Sequence, residues 1–184
     1  MDSELIRSAQ RGDTGAYEQL VQQYQESVFR LAYLICGDPD DAEDIAQDAL
    51  IAAYRALPHF DSERPLRPWL LKITANTARN RRRSVGRYLN VLKRWANEWT
   101  DEVDAESEAS NTLAADALLA AVRRMNDVDQ TIIYLRYYLE LSVAETAQAL
   151  DIEQGTVKSR LNRALGRLRE SVLRERPLWI EGGE

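Results

Sequence analysis

SVAETAQALDIEQGTVKSRLNRALGRLRE, residues 142–170, is the stretch whose reading decides the fold. Ser142 followed three residues later by Glu145 is a capping box, in which hydroxyl and carboxylate satisfy amide donors left open where a helix starts. The helix it opens carries Ala144, Ala147 and Leu150 as an apolar stripe, and Asp151, Ile152 and Glu153 form a short polar turn. A second helix follows at once. Its Val157, Leu161, Ala164, Leu165 and Leu168 recur at helical spacing, so the opposite face carries Ser159, Asn162 and Arg163, flanked by Lys158 and Arg160. The segment reads as a helix-turn-helix. Cations for phosphates and short polar groups for base edges are what major-groove docking requires. A merely solvated amphipathic helix is the alternative reading of the same face.

Outward from this segment, 184 residues with 45% hydrophobic and 29% charged content describe a globular chain with room for one large or two small domains. No run approaches a membrane span and the first residues lack an apolar signal core, so the expectation is a cytoplasmic protein without membrane insertion. Cys36 stands alone in an apolar stretch and reads as a small core residue, and His59 is the single histidine. With neither a spaced ligand cluster nor a phosphate-cradling loop, no metal, cofactor or enzymatic activity is expected. The net charge of −6 argues against indiscriminate coating of DNA. Basic residues nonetheless gather at 79–94 and 158–176, which points to two nucleic-acid contacts, while acidic ones crowd 38–48 and 98–108.

Tyr17, Leu20, Val21, Tyr24, Val28, Leu31 and Ile35 make residues 15–36 an amphipathic helix closed by Gly37. Asp38 then caps a helix begun by Pro39 and running to about Leu57. Its small Ala42, Ala46, Ala49 and Ala53 admit a close neighbour, and Asp44, Gln47, Asp48, Ile51 and Arg55 form a separate stripe, either solvated or a docking face. Pro58 ends that helix, and the loop after it carries Phe60 and Arg64. The next helix buries Leu66, Trp69, Leu70 and Ile73 and lines up Asn76, Arg79, Asn80 and Arg83, amides and guanidinia that suit bases and phosphates. Residues 95–112 are anionic and poor in apolar groups, and read as a flexible linker. Helical periodicity resumes from Leu113, and Trp179 and Ile180 in the tail are either a clasp or a partner contact.

DAEDIAQDALIAAYRAL, then a Trp-bearing helix ending ANTARNRRR, then LSVAETAQALDIEQGTVKSRLNRALGRLRE together resemble bacterial RNA polymerase sigma factors of the sigma-70 family, extracytoplasmic-function (ECF) subfamily. The resemblance implies an all-α fold of two small helical domains, region 2 at residues 1–94 and region 4 at 113–176, joined by the acidic linker and followed by a tail at 177–184. It implies a non-enzymatic initiation factor whose partners are core RNA polymerase (the beta-prime clamp helices and beta flap), promoter DNA and an anti-sigma factor. By the same resemblance Asp44, Gln47 and Asp48, with Ile51 and Arg55 on their stripe, contact core polymerase. Phe60, Arg64, Asn76, Arg79, Asn80 and Arg83 recognise and melt the minus-10 element, capturing a flipped base. Thr156, Lys158, Ser159, Arg160, Asn162 and Arg163 read the minus-35 element as duplex, and the linker threads the polymerase cleft. The competing expectation is a free-standing helix-turn-helix regulator that acts without core polymerase.

Overall fold

The computed structural model describes the backbone of residues 2–95 and 110–175 and the side chains of residues 2–82 and 117–173. Among the described residues there are helices and no strand: α1 (Asp2–Gln10), α2 (Thr14–Cys36), α3 (Pro39–Ala56), α4 (Leu66–Trp95), α5 (Ser110–Arg123), α6 (Asp127–Ile133), α7 (Val143–Leu150) and α8 (Gln154–Glu175). A single 3-10 turn, Leu57–His59, follows α3, and a wide π turn, Tyr134–Tyr138, follows α6. Of the linker expected at residues 95–112, residues 96–109 lie outside the described residues, as do the tail with Trp179 and the Arg83 side chain. Trp95 belongs to α4 and residues 110–112 to α5, so the helices reach further into that stretch from both sides than its composition suggested.

Local chemistry sets several of the helix ends. Asp13, Asp38 and Asn126 accept from the backbone N–H groups of Ala16, Asp41 and Asp129 at 3.1, 2.9 and 3.1 Å, satisfying donors that a helix start leaves open. The Asp13 carboxyl is held below the usual range, first by the Ala16 amide and then by the Ser8 hydroxyl. Gly37 ends α2 at φ +84°, a left-handed conformation that glycine adopts without a Cβ clash, and its N–H donates to the Tyr33 carbonyl. The capping box is formed in full: the Glu145 N–H donates to the Ser142 hydroxyl at 3.1 Å and the Ser142 N–H to the Glu145 carboxylate at 2.8 Å. Asp151 then turns the chain into α8 at φ +56°.

The capping box supplies one measurable expectation. Ser142→Ala should destabilise the protein by about 1 kcal/mol, read as a shifted urea midpoint at constant slope. The Ser142 hydroxyl first, and then the Ser142 backbone N–H, hold the Glu145 carboxyl below its ordinary range by hydrogen bonding to it. A lowered folded-state pKa gives stability that is complete above the unfolded value and lost as pH falls through the folded one. The difference between the native chain and Ser142→Ala should therefore shrink in acid and be complete at neutral pH.

One expectation about the helix faces is corrected. Ala144 is exposed, and the inner side of α7 is made instead by Thr146, Ala147 and Ala149 with Leu150 half-buried. Thr146 can be buried because its hydroxyl donates back to the Ser142 carbonyl at 2.8 Å, leaving no unsatisfied group inside. The chain also begins with a helix not anticipated, α1, whose Ile6 and Ala9 are buried.

Small residues let the first four helices approach closely, with Ala42, Ala46, Ala49 and Ala53 of α3 all buried. One apolar cluster unites Ile6, Leu20, Val28, Leu57, Phe60 and Leu70. A second runs through both halves of the chain, joining Leu31, Ile45 and Leu71 to Tyr134, Leu141 and Val157. The halves therefore meet along a seam rather than hanging apart. Polar contacts edge it: Arg30 and Arg67 donate to the carbonyls of Tyr138 and Leu139 at 3.1 and 2.9 Å, and Lys72 pairs with Asp151 at 3.1 Å. Arg123 lies over the Tyr33 ring at 5.7 Å. Within the second half, buried Asp129 ties α6 to α8 through Arg167 at 2.5 Å.

Candidate nucleic-acid and partner interfaces

The outer face of α8 is built by the stripe that buries the inner one. Val157, Ala164 and Leu168 are buried and Leu161 and Leu165 half-buried, which turns Lys158, Ser159, Asn162 and Arg163 to solvent. Thr156 and Arg160 sit at the margin, half-buried. The Ser159 hydroxyl donates to the Thr156 carbonyl at 3.1 Å and Arg163 Nε to the Ser159 carbonyl at 3.3 Å, so the serine is tied locally while the guanidinium lies along the helix with donors to spare. This surface presents two cations and two short polar groups in one row, with no acidic side chain among them.

On α4 the line expected from sequence is present but only partly open. Asn76 and Asn80 are exposed, whereas Arg79 is half-buried, donating to Asn76 Oδ1 at 3.4 Å and to the Thr131 hydroxyl of α6 at 2.9 Å. Arg82, beside them, pairs with Asp127 and donates to Gln130 at 3.3 Å. Part of this basic surface thus faces the second half of the chain.

The acidic stripe of α3 is exposed along its length, with Asp44, Gln47, Asp48, Ile51 and Arg55 all at the surface. Sequence spacing missed two residues that belong with it. Tyr54 stands exposed beside Ile51, its ring 4.9 Å from that of Tyr17, so the acidic end runs into an apolar one. Arg81 of α4 lies over the acids at 3.3 Å from Asp41, 2.7 Å from Asp44 and 3.9 Å from Asp48. A cation one position past Asn80 on α4, facing a run of carboxylates spaced by three and four residues, was the available signal.

The loop after α3 differs from the expectation in one residue. Phe60 is buried and packs on Trp69 with ring centroids 4.6 Å apart, so its ring is not presented to a base. Arg64 is exposed and borders an open cleft of about 440 Å³ shared with Gln148, Glu153 and Gln154. The described residues hold no cluster of metal-ligating side chains, and no helix among them is long and apolar enough to cross a membrane.

Comparison with known proteins accords with this arrangement. The family model of Sigma-70 region 2 matches residues 20–88, and that of Sigma-70, region 4 matches residues 115–168. The chain is similar to the ECF RNA polymerase sigma factor SigW of Bacillus subtilis, 30% identical over 94% of this chain and 97% of the relative. It is likewise similar to the RNA polymerase sigma factor NccH of Alcaligenes xylosoxydans xylosoxydans, 34% identical over 91% and 92% of the two chains. The fold matches the sigma factor RpoE solved in complex with the anti-sigma factor NepR from Bartonella quintana, with a TM-score of 0.67 at 23% identity, covering 87% of this chain and 98% of that one.

Proposed function

Because the chain belongs to the sigma-70 family of RNA polymerase sigma factors, in the ECF group, we propose a division of labour among its exposed surfaces. It is a transcription initiation factor without enzymatic activity of its own, and its partners are core RNA polymerase and promoter DNA. Residues 1–94 act as region 2, residues 95–112 as a linker and residues 113–176 as region 4. Work with RNA polymerase puts the chain in the cytoplasm.

The observation that carries the proposal is the pairing of unlike surfaces: a cationic row on α8 behind a completed capping box, and an exposed acidic stripe on α3. DNA repels the second, so that surface needs a protein partner. Asp44, Gln47, Asp48, Ile51 and Arg55, extended by Tyr54, dock on core polymerase. Arg64, Asn76, Arg79, Asn80 and Arg83 meet the minus-10 element, with Phe60 supporting their loop from beneath. Lys158, Ser159, Asn162 and Arg163 enter the minus-35 major groove, with Thr156 and Arg160 at its phosphate margins. An anti-sigma factor is a further partner, supported by the fold neighbour solved with one. Run-off transcription with purified core polymerase tests the whole reading. Transcripts that start only when both proteins are present support it, and symmetrical operator binding by the chain alone would support a free-standing regulator instead.

Base reading and phosphate anchoring in α8 are separable. Arg163→Ala and Lys158→Ala should each weaken transcription from minus-35-dependent promoters, by about 1 to 3 kcal/mol where a base contact is lost. A base contact relaxes preference at one position, whereas a phosphate contact weakens all sequences alike and lowers the salt slope by about one.

A further inference from the structure

The loop between α3 and α4 has little backbone structure of its own. The 3-10 turn closes with the Phe60 N–H on the Leu57 carbonyl at 3.0 Å, and Asp61 accepts from the Glu63 and Arg64 amides at 3.0 Å each. Besides the packing of Phe60 on Trp69 of α4, what fixes it to the rest of the protein comes from α1. Gln10 Nε2 donates to the carbonyls of both Leu57 and Phe60, at 2.9 and 2.7 Å, so one amide gathers the two ends of the turn. Arg7 reaches the other side of the loop, donating from Nε to the Ser62 hydroxyl at 3.2 Å and pairing with Glu63. Underneath, Ile6 of α1 shares the apolar cluster of Leu57 and Phe60. The outward-facing groups are left to Pro58, His59, Asp61 and Arg64, all exposed.

This arrangement exceeds what burying an N-terminal helix requires. Ile6 and Ala9 would dock α1 by apolar contact alone, yet its polar residues bond the loop at four separate residues, Leu57, Phe60, Ser62 and Glu63. A loop that reads a base must be held in one geometry before the base arrives, because ordering it during binding subtracts from both affinity and discrimination. α1 moreover precedes residues 20–88, the stretch that the region 2 model matches.

We infer that Gln10, assisted by Arg7, is a positioning residue that presets the loop of residues 57–64 for sequence discrimination at the minus-10 element. The inference rests on the minus-10 role proposed above for that loop. Gln10 touches no DNA; it acts through the two carbonyls it holds. Its donor amide is the necessary feature, since a side chain with acceptors alone would repel both carbonyls.

The test is transcription by core polymerase and the full chain from a pool of duplex templates randomised at the minus-10 and minus-35 positions, with the transcripts sequenced. Gln10→Ala and Gln10→Glu should flatten minus-10 preference, the ratio of best to worst base falling roughly tenfold at the affected position, the scale of one base contact. Minus-35 preference is the internal control and should stay as in the native chain. Gln10→Lys, which keeps a donor within reach of the carbonyls, should retain most of the minus-10 preference. Unchanged minus-10 preference in Gln10→Ala, or equal flattening of both elements, overturns the inference, the second outcome marking Gln10 as a packing residue only. Asp61→Ala and Arg64→Ala in the same pool separate the two levels. If they alter minus-10 preference while Gln10→Ala does not, only the positioning role fails. If they too leave it unchanged, the minus-10 reading of the loop falls, and the inference with it.

Discussion

Asp44→Lys combined with Asp48→Lys is expected to reduce co-purification with core polymerase by at least tenfold while the protein remains folded. Like-charge juxtaposition across a docked surface costs several kcal/mol, whereas exposed ion pairs contribute at most about 1 kcal/mol each to folding. Both carboxylates are roughly 60% exposed, at 59% and 61%, so the folding cost belongs at the lower end. The new lysines would, however, lie against Arg81, which now holds Asp44 at 2.7 Å. Asp44→Asn with Asp48→Asn removes the attraction without adding repulsion and should give an intermediate binding defect. Arg81→Gln gives the complement: it frees the carboxylates and should not weaken docking as the reversal does. Core binding unchanged by the double reversal would return the stripe to plain solvated surface.

Promoter opening should depend on α4. Arg79→Ala with Asn80→Ala is expected to slow opening of duplex promoters by one to two orders of magnitude, since capturing an unstacked base must offset a few kcal/mol. A template already open across the minus-10 element should restore most of the activity. Equal defects on closed and pre-opened templates would assign these residues to binding without melting. Arg79 also donates to the Thr131 hydroxyl at 2.9 Å, so the variant loosens the seam as well. Thr131→Val removes that contact without touching the α4 line and should leave opening close to the native rate.

The helix ends were legible in the sequence because their causes are local: Asp38 before Pro39, Gly37 at φ +84°, and Ser142 with Glu145 each act within a few residues. The cationic row of α8 was legible because a long apolar stripe fixes what lies opposite. α1 escaped because nine residues give only Leu5, Ile6 and Ala9 as a signal, too few to stand above chance. Phe60 was read as exposed because an aromatic residue in a loop carries no local mark of burial; its partners, Trp69 and the α1 cluster, are set by tertiary packing. Arg79 read as a nucleic-acid contact, and its present partner Thr131, like the Asp127 partner of neighbouring Arg82, lies about fifty positions along the chain in a half whose docking no pattern of spacing announces. The same reason hid the shared core: the composition of a linker does not say whether the segments it joins will touch.

That shared core makes the two halves thermodynamically linked. A partner that requires them separated binds with its intrinsic affinity multiplied by the fraction of molecules already apart, so every tenfold of closure subtracts about 1.4 kcal/mol from what it can express. By reciprocity, such a partner shifts the population toward separation, and a ligand that spans both halves in their joined form shifts it back. Ionic strength acts on the same balance, because the Arg82–Asp127 and Lys72–Asp151 pairs are exposed enough to be screened while Tyr134 and Leu141 are not. Tyr134 and Leu141, fully buried among residues of both halves, are thus as much determinants of apparent affinity as any side chain that touches DNA.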